Sequence, residues 1–213
     1  MNKDRIKIYK PPNVGWLDVR LNEKEMDYVW RCIENKKDNC NNHLAGNITG
    51  SYNLMDRGNW FWVNVIAPLI KVYVDNFGNL GKKVPTSVEH PYELSSWWVN
   101  YQKQNEFNPL HDHSGVYSFV IWMKIPKDIG YKKQNRIKIS ADSNSPCVSA
   151  FSVAYSNILG ACKSVEYKLE PEDEGRMLIF PSQLKHQVYP FYNCDEERIS
   201  VSGNVSLNTT KVV

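Results

Sequence analysis

Beyond about residue 84 the chain reads as one short β-rich run after another. Residues 94–101, 116–125, 136–140, 150–156, 164–169, 177–181 and 199–207 are each dense in Val, Ile, Trp, Tyr or Phe and bounded by turn residues. No amphipathic helix stands between them. Parallel neighbours need long crossover connections, usually helical, so this pattern points to an antiparallel sandwich or jelly roll. An aromatic share of 12%, with seven Trp and twelve Tyr, suits such a core.

The first third has the other period. Asn22 followed by Glu25 matches a capping box, and Met26, Val29, Trp30 and Ile33 keep the spacing of one buried helix face, with Lys36 and Lys37 at its end. Residues 59–77 repeat the pattern through Trp62, Val65, Ile66, Leu69, Ile70 and Tyr73. Pro68 is expected to kink or restart that helix, and Gly78 to stop it. A chain of 213 residues fits one domain, with 1–83 as mainly helical support and 84–213 as the jelly-roll core. The expected class is α+β, a double-stranded β-helix (jelly roll, cupin-like) buttressed by two N-terminal helices. Residues 128–135 and 143–146 are expected to be surface loops.

Bulk properties remove several functions. A net charge of +3 is too small to announce a nucleic-acid binder, and the basic cluster Lys132, Lys133, Arg136 and Lys138 reads as a solvated loop. No run approaches the roughly 18 apolar residues of a spanning helix, and the N-terminus has no apolar signal segment. Five cysteines without a CxxC pair argue against a disulfide framework or zinc finger, so reduced thiols in a cytoplasm are expected. The glycosylation sequons at 47, 204 and 208 are then accidental. Residues 78–83 contain Gly and Lys but fail phosphate-loop spacing.

Three stretches carry chemistry. The first is NPLHDHSG at 108–115, directly before an apolar strand. In extended chain residues two apart share a face, so His111 and His113 can enter one cavity while Asp112 points away. Two imidazoles there are half of a divalent metal site, or a pair of solvated histidines. The second is GRMLIFPSQLKH at 175–186, a buried strand and turn ending in His186, which offers a third ligand or a surface histidine. The third is RISVSGNVSL at 198–207. Alternation sends Ile199, Val201, Val205 and Leu207 to one face and Arg198, Ser200, Ser202 and Asn204 to the other. Such a strand is either a barrel wall facing a polar ligand or an edge strand with one face in water. In the first case Arg198 offers a planar fork for a carboxylate and Ser200 a hydroxyl beside it. His43 and His90 have no partner at ligand spacing.

Together these stretches resemble the Fe(II)/2-oxoglutarate-dependent oxygenase superfamily, whose pattern is HxD/E, a distal His, then Arg-x-Ser on the next strand. The chain is similar in particular to oxygenases often encoded by marine phages, with NPxHxHSG, SFVIW and GRxxxFPSxxxH segments and a RISxSxN ending. The segment LAGNI at 44–48 and the helix around Pro68 are also similar, so the resemblance spans most of the chain.

The resemblance implies His111 and His186 as iron ligands, and Arg198 with Ser200 as the grip on the far carboxylate of the co-substrate 2-oxoglutarate. Tyr101 matches a position where related enzymes place a co-substrate contact, and equally suits a packed aromatic beside Trp97 and Trp98. At the acid position stands His113. Three readings follow: His113 coordinates, a bulge swings Asp112 inward, or His111 and His186 act alone. Regular strand geometry supplies His113 without distortion. The implied reaction uses O₂ and 2-oxoglutarate to hydroxylate a substrate, peptidyl or prolyl by analogy with the prolyl-hydroxylase branch, releasing succinate and CO₂. Other readings are a three-histidine cupin dioxygenase that needs no 2-oxoglutarate, and a non-catalytic jelly-roll module. The implied location is the cytoplasm, a host's if the chain is phage-encoded, and neither substrate nor oligomeric state follows from the sequence.

Overall fold

A computed structural model describes residues 13–138, 144–145 and 147–212. The strands are β1 (Leu17–Arg20), β2 (Gly50–Asn53), β3 (Tyr92–Gln102), β4 (Asn108–His111) and β5 (Tyr117–Lys124), then β6 (Phe151–Ser156), β7 (Cys162–Tyr167), β8 (Arg176–Pro181), β9 (Lys185–Val188) and β10 (Arg198–Leu207). They form two sheets, β1-β8-β5-β10-β3-β2 and β4-β9-β6-β7, with antiparallel pairing throughout. This is the expected jelly roll, and the class is α+β.

Helix α1 (Glu23–Glu34) opens with the expected capping box: the Asn22 side chain accepts from the Glu25 backbone N–H, and the Glu25 carboxylate accepts from that of Asn22. The second helix is split. Residues Trp62–Ile66 wind as a π-helix, and α2 (Ala67–Phe77) begins where Pro68 occupies its first turn. Proline lacks an N–H, so the preceding turn loses its regular ladder and widens until the Ala67 N–H reaches the Trp62 carbonyl. Gly78, at φ +85°, ends α2 as expected.

The large sheet is covered on one face by these helices. Phe61, Val65, Ile66, Ile70 and Tyr73 pack with Trp97, Val99, Phe119, Ile121, Met177 and Val201 in one buried cluster. Packing is close enough that Gly203 is required, since a Cβ there would lie 2.5 Å from the Phe119 ring and 2.8 Å from the Trp97 Cβ. The opposite face meets the small sheet. Val120, Trp122, Leu178 and Phe180 from one sheet and Phe151 and Val153 from the other close one end of the sandwich. The remaining part of that interior is polar, and it holds the site described below.

The first 83 residues, mainly helical where described, also supply β1 and β2, which edge the large sheet. Two expectations are corrected. Residues 128–135, expected as a surface loop, instead hold a 3₁₀ turn (Lys127–Ile129) and α3 (Tyr131–Gln134), with Ile129 and Gln134 buried. Within 136–140, residues 136–138 form no strand, while 139–140 lie outside the described residues. Helical-turn bonds from the N–H groups of Asn135, Arg136 and Ile137 to the carbonyls of Tyr131, Lys133 and Gln134 carry α3 (Tyr131–Gln134) onward and remove the N–H groups a ladder would use. Part of the loop expected at 143–146 also lies outside the described residues. Among the described residues no helix is long and apolar enough to cross a membrane. All five cysteines are free thiols.

Candidate active site

The histidines come together because β4 and β9 pair with His111 opposite His186. Three steps along β4 match two along β9, a bulge at Pro109 and Leu110 where the missing proline N–H interrupts the ladder. The bulge falls before His111, so His111 and His113 keep one side and Asp112 takes the other. The His113 N–H donates to the Ser182 carbonyl, which ties it to the end of β8. Ring centroids of His111 and His186 are 4.3 Å apart, and those of His113 and His186 4.9 Å.

Each imidazole has its Nδ1 against an oxygen that can only accept: Pro109 O at 2.7 Å for His111, Leu184 O at 2.8 Å for His186, and Asn204 Oδ1 at 2.8 Å for His113. The ring proton therefore sits on Nδ1, and each Nε2 carries a free lone pair. The Nε2 atoms of His111 and His113 are 3.2 Å apart, and one ligand atom from each of the three histidines lies within 4.8 Å of the others. Burial holds all three below the ordinary histidine range, His186 down to about 3. Three neutral imidazoles gathered this closely suit a divalent cation: metal–nitrogen bonds of roughly 2.1 Å bridge the 3.2 Å His111–His113 pair as it stands, and any pair wider than about 4.2 Å closes on binding.

Asp112 does not join them. Its carboxylate meets the Lys185 ammonium at 2.6 Å on the rim, and that partner holds it below the usual carboxylate range. The structure offers no inward swing of Asp112. His186 is buried at 4% exposure, so it is not a surface histidine. His43 lies at the cavity mouth, and His90 reaches the Lys211 carbonyl far from the cluster.

The cluster lines a cavity of about 460 Å³ that also reaches Arg198, Ser200, Ser202 and Asn204 on β10. The inward and outward phases of β10 are those read from its alternation, with Val201 and Val205 in the helix-facing core. Arg198 is 2% exposed, and burial draws its guanidinium down to about 10. Its guanidinium lies 5.8 Å over the Phe191 ring, and all its hydrogen-bond partners are neutral oxygens. Nε and Nη2 donate to Gln102 Oε1 at 3.0 and 2.6 Å, Nη1 to Ser149 O and Oγ at 2.6 and 3.3 Å, and Nη2 to Tyr189 O at 3.3 Å. Among the described residues no carboxylate lies within ion-pair distance. A buried charge without a counter-charge is unfavourable, and an anionic ligand in the adjoining cavity relieves it.

Tyr101 is a correction. In β3 it shares a phase with Trp97 and Val99, which face the helices. Its ring packs edge-on to Tyr52 at 6.0 Å beneath the Lys36 ammonium, outside the cavity. The cavity phase of β3 is Ser96, Trp98, Asn100 and Gln102, which sequence reasoning passed over. The polar pair Asn100 and Gln102, two residues apart, was the available signal.

Residues 96–204, about half the chain and inclusive of the whole cluster, match the family described as "Putative 2OG-Fe(II) oxygenase". The chain belongs to this family. It is a 2-oxoglutarate-dependent dioxygenase, with Fe(II) as metal and 2-oxoglutarate as co-substrate. No curated protein sequence matches it. Among solved structures it is similar to a prolyl-4-hydroxylase of Pseudomonas putida, with TM-score 0.54 and 14% identity over 92% of this chain and 94% of that one. It is also similar to a 2OG-Fe(II) oxygenase-family oxidoreductase of Burkholderia pseudomallei (0.54, 12%, 90% and 85%). A third is HygX of Streptomyces hygroscopicus, solved with nickel, 2-oxoglutarate and hygromycin B (0.50, 10%, 92% and 84%). At these identities the likeness is one of fold.

Proposed function

We propose that this dioxygenase is a hydroxylase of peptidyl, and first of all prolyl, substrates. In this reading His111, His113 and His186 hold the iron, and Arg198 with Ser200 holds the far carboxylate of 2-oxoglutarate. One observation carries the site assignment: a single cavity joins three free Nε2 lone pairs to a buried arginine that no carboxylate neutralises. Bound iron and co-substrate supply the oxidation, in which O₂ gives one oxygen to the substrate C–H and one to succinate as CO₂ leaves.

The chain's own residues position and shield. The imidazoles present Nε2 because carbonyl oxygens fix their Nδ1 protons. Arg198 and the Ser200 hydroxyl lie on one face of β10 and orient a dicarboxylate along the cavity. Trp122, Phe151 and Phe180 form an apolar wall beside the polar face and exclude water there. The mouth, lined by His43, Leu44, Ala45 and Gly46, suits one side chain reaching in from a larger substrate. The prolyl preference is supported by fold likeness to a prolyl-4-hydroxylase. A three-histidine dioxygenase without 2-oxoglutarate leaves the unneutralised Arg198 without a role, which favours the first reading.

Anaerobic titration with Fe(II) and 2-oxoglutarate tests the site through the weak visible band of the chelate. Arg198→Ala should raise the 2-oxoglutarate Kd by about 30-fold or more, as expected for truncating one partner of a buried charge pair. No band in wild type, or an undiminished one in the variant, sinks the assignment. Succinate release over prolyl peptides and small metabolites then tests the substrate. A response to metabolites alone removes the peptidyl reading.

A further inference from the structure

The three imidazoles are not held alike. His111 and His186 each bond a backbone carbonyl two residues earlier, Pro109 O and Leu184 O, so strand geometry alone fixes their rings. His113, which stands where the family pattern has an acid, has no such carbonyl. Its Nδ1 meets a side chain 91 residues away, Asn204 Oδ1 at 2.8 Å.

Asn204 is itself fixed from several directions. The Ser118 hydroxyl lies 2.9 Å from Oδ1, and Ser182 Oγ lies 3.1 Å behind Ser118. Nδ2 donates to Ser96 Oγ at 3.3 Å. The β10–β3 register breaks immediately after Asn204, where Ser95 is left unpaired and its hydroxyl donates to the Asn204 carbonyl at 3.0 Å. Across the other edge, Gly115 at φ +101° lets its turn approach the Val205 carbonyl, which also accepts from the Val116 N–H. The bulge, the turn and the serine pair all act on the position of one amide.

We propose that Asn204, backed by Ser118, is the positioning residue that makes His113 a metal ligand. The amide oxygen keeps the proton on Nδ1 and frees Nε2. Being neutral, it leaves His113 a neutral imidazole in place of the anionic ligand of the usual triad. This rests on the three-histidine metal reading above.

Two measurements test it. In the apo protein, imidazole ¹⁵N shifts should show His113 protonated at Nδ1, and Asn204→Leu should move it toward the Nε2–H tautomer. In a Co(II) titration followed by visible absorption, Asn204→Leu should raise Kd by about 10- to 100-fold and alter the band shape. Asn204→Asp, which keeps an acceptor, should hold or tighten wild-type affinity. If Asn204→Leu does not fold, Ser118→Ala carries the same test, with weaker Co(II) binding expected. Wild type that binds no Co(II) overturns the metal reading itself. Wild type that binds, with His186→Ala losing the ion while Asn204→Leu and Ser118→Ala keep wild-type affinity and spectrum, overturns only the role of Asn204. Loss of binding in Asn204→Asp overturns it as well.

Discussion

The two faces of the large sheet use the same strands for opposite ends. On the helix side Phe119, Ile121, Met177, Val201 and Val205 meet Phe61, Ile66 and Tyr73 with almost no accessible surface. On the other side, one residue out of phase, Asn100, Gln102, Arg198, Ser200, Ser202 and Asn204 surround a cavity. The first face gains free energy from apolar burial. The second keeps polar groups and one charge in low-dielectric surroundings, bonded to one another and open to an anionic ligand. Strand alternation makes this possible: a period of two lets one phase stabilise the fold while the other is free to do chemistry.

Substitution on the helix face should have the largest effect on stability. Phe61 is fully buried, stacked on Trp97 at 5.1 Å and tilted against Phe119 at 6.0 Å. Phe61→Ala should lose about 3–5 kcal/mol in denaturant unfolding, while Ser200→Ala on the cavity face should change stability by less than about 0.5 kcal/mol. Equal losses would show that the two faces do not differ in kind.

Metal sharpens the comparison from the other side, since it acts on the cavity face alone. Saturation at 100 times Kd should add about 2.7 kcal/mol to unfolding, read by thermal scans as roughly 5–10 °C. Removal by chelation should return Tm to the apo value. His186→Ala should abolish the metal-dependent rise. A rise that survives in that variant would place the ion elsewhere.

How much of this was legible depended on length and phase. β10 was readable because ten residues alternate with little ambiguity, so Arg198 and Ser200 were assigned to the cavity face, and the structure has them there. β3 was found, but its phase could not be assigned. Trp97 and Trp98 are adjacent, so both faces look apolar, and the resemblance alone linked Tyr101 to the site, whereas Asn100 and Gln102 are the inward pair. β1, β2, β4 and β9 have four residues each, too few for periodicity to show, and they exist through their partners. Residues 136–138 failed the opposite way, with alternation but no ladder. His186 illustrates the limit well. Nothing in Lys-His-Gln-Val announces a strand, yet pairing with β4 and β6 buries its imidazole.

The smallest expected effect is the most discriminating for the ligand set. Asp112 is chemically the natural third ligand, one residue from both His111 and His113, and its position on the rim beside Lys185 separates two accounts of the site. If the outward phase persists when metal binds, Asp112→Ala removes only an exposed ion pair. Stability should then change by less than about 1 kcal/mol, and the Co(II) Kd should stay within about threefold of wild type. If metal draws Asp112 inward, Lys185 must be released and the β4 bulge must move past His111, and the same variant loses most of its affinity. His113→Ala gives the converse pattern, with severe loss in the first account and mild loss in the second. The pair of titrations therefore decides whether the polar face carries a neutral three-histidine centre or an anionic one reached by rearrangement.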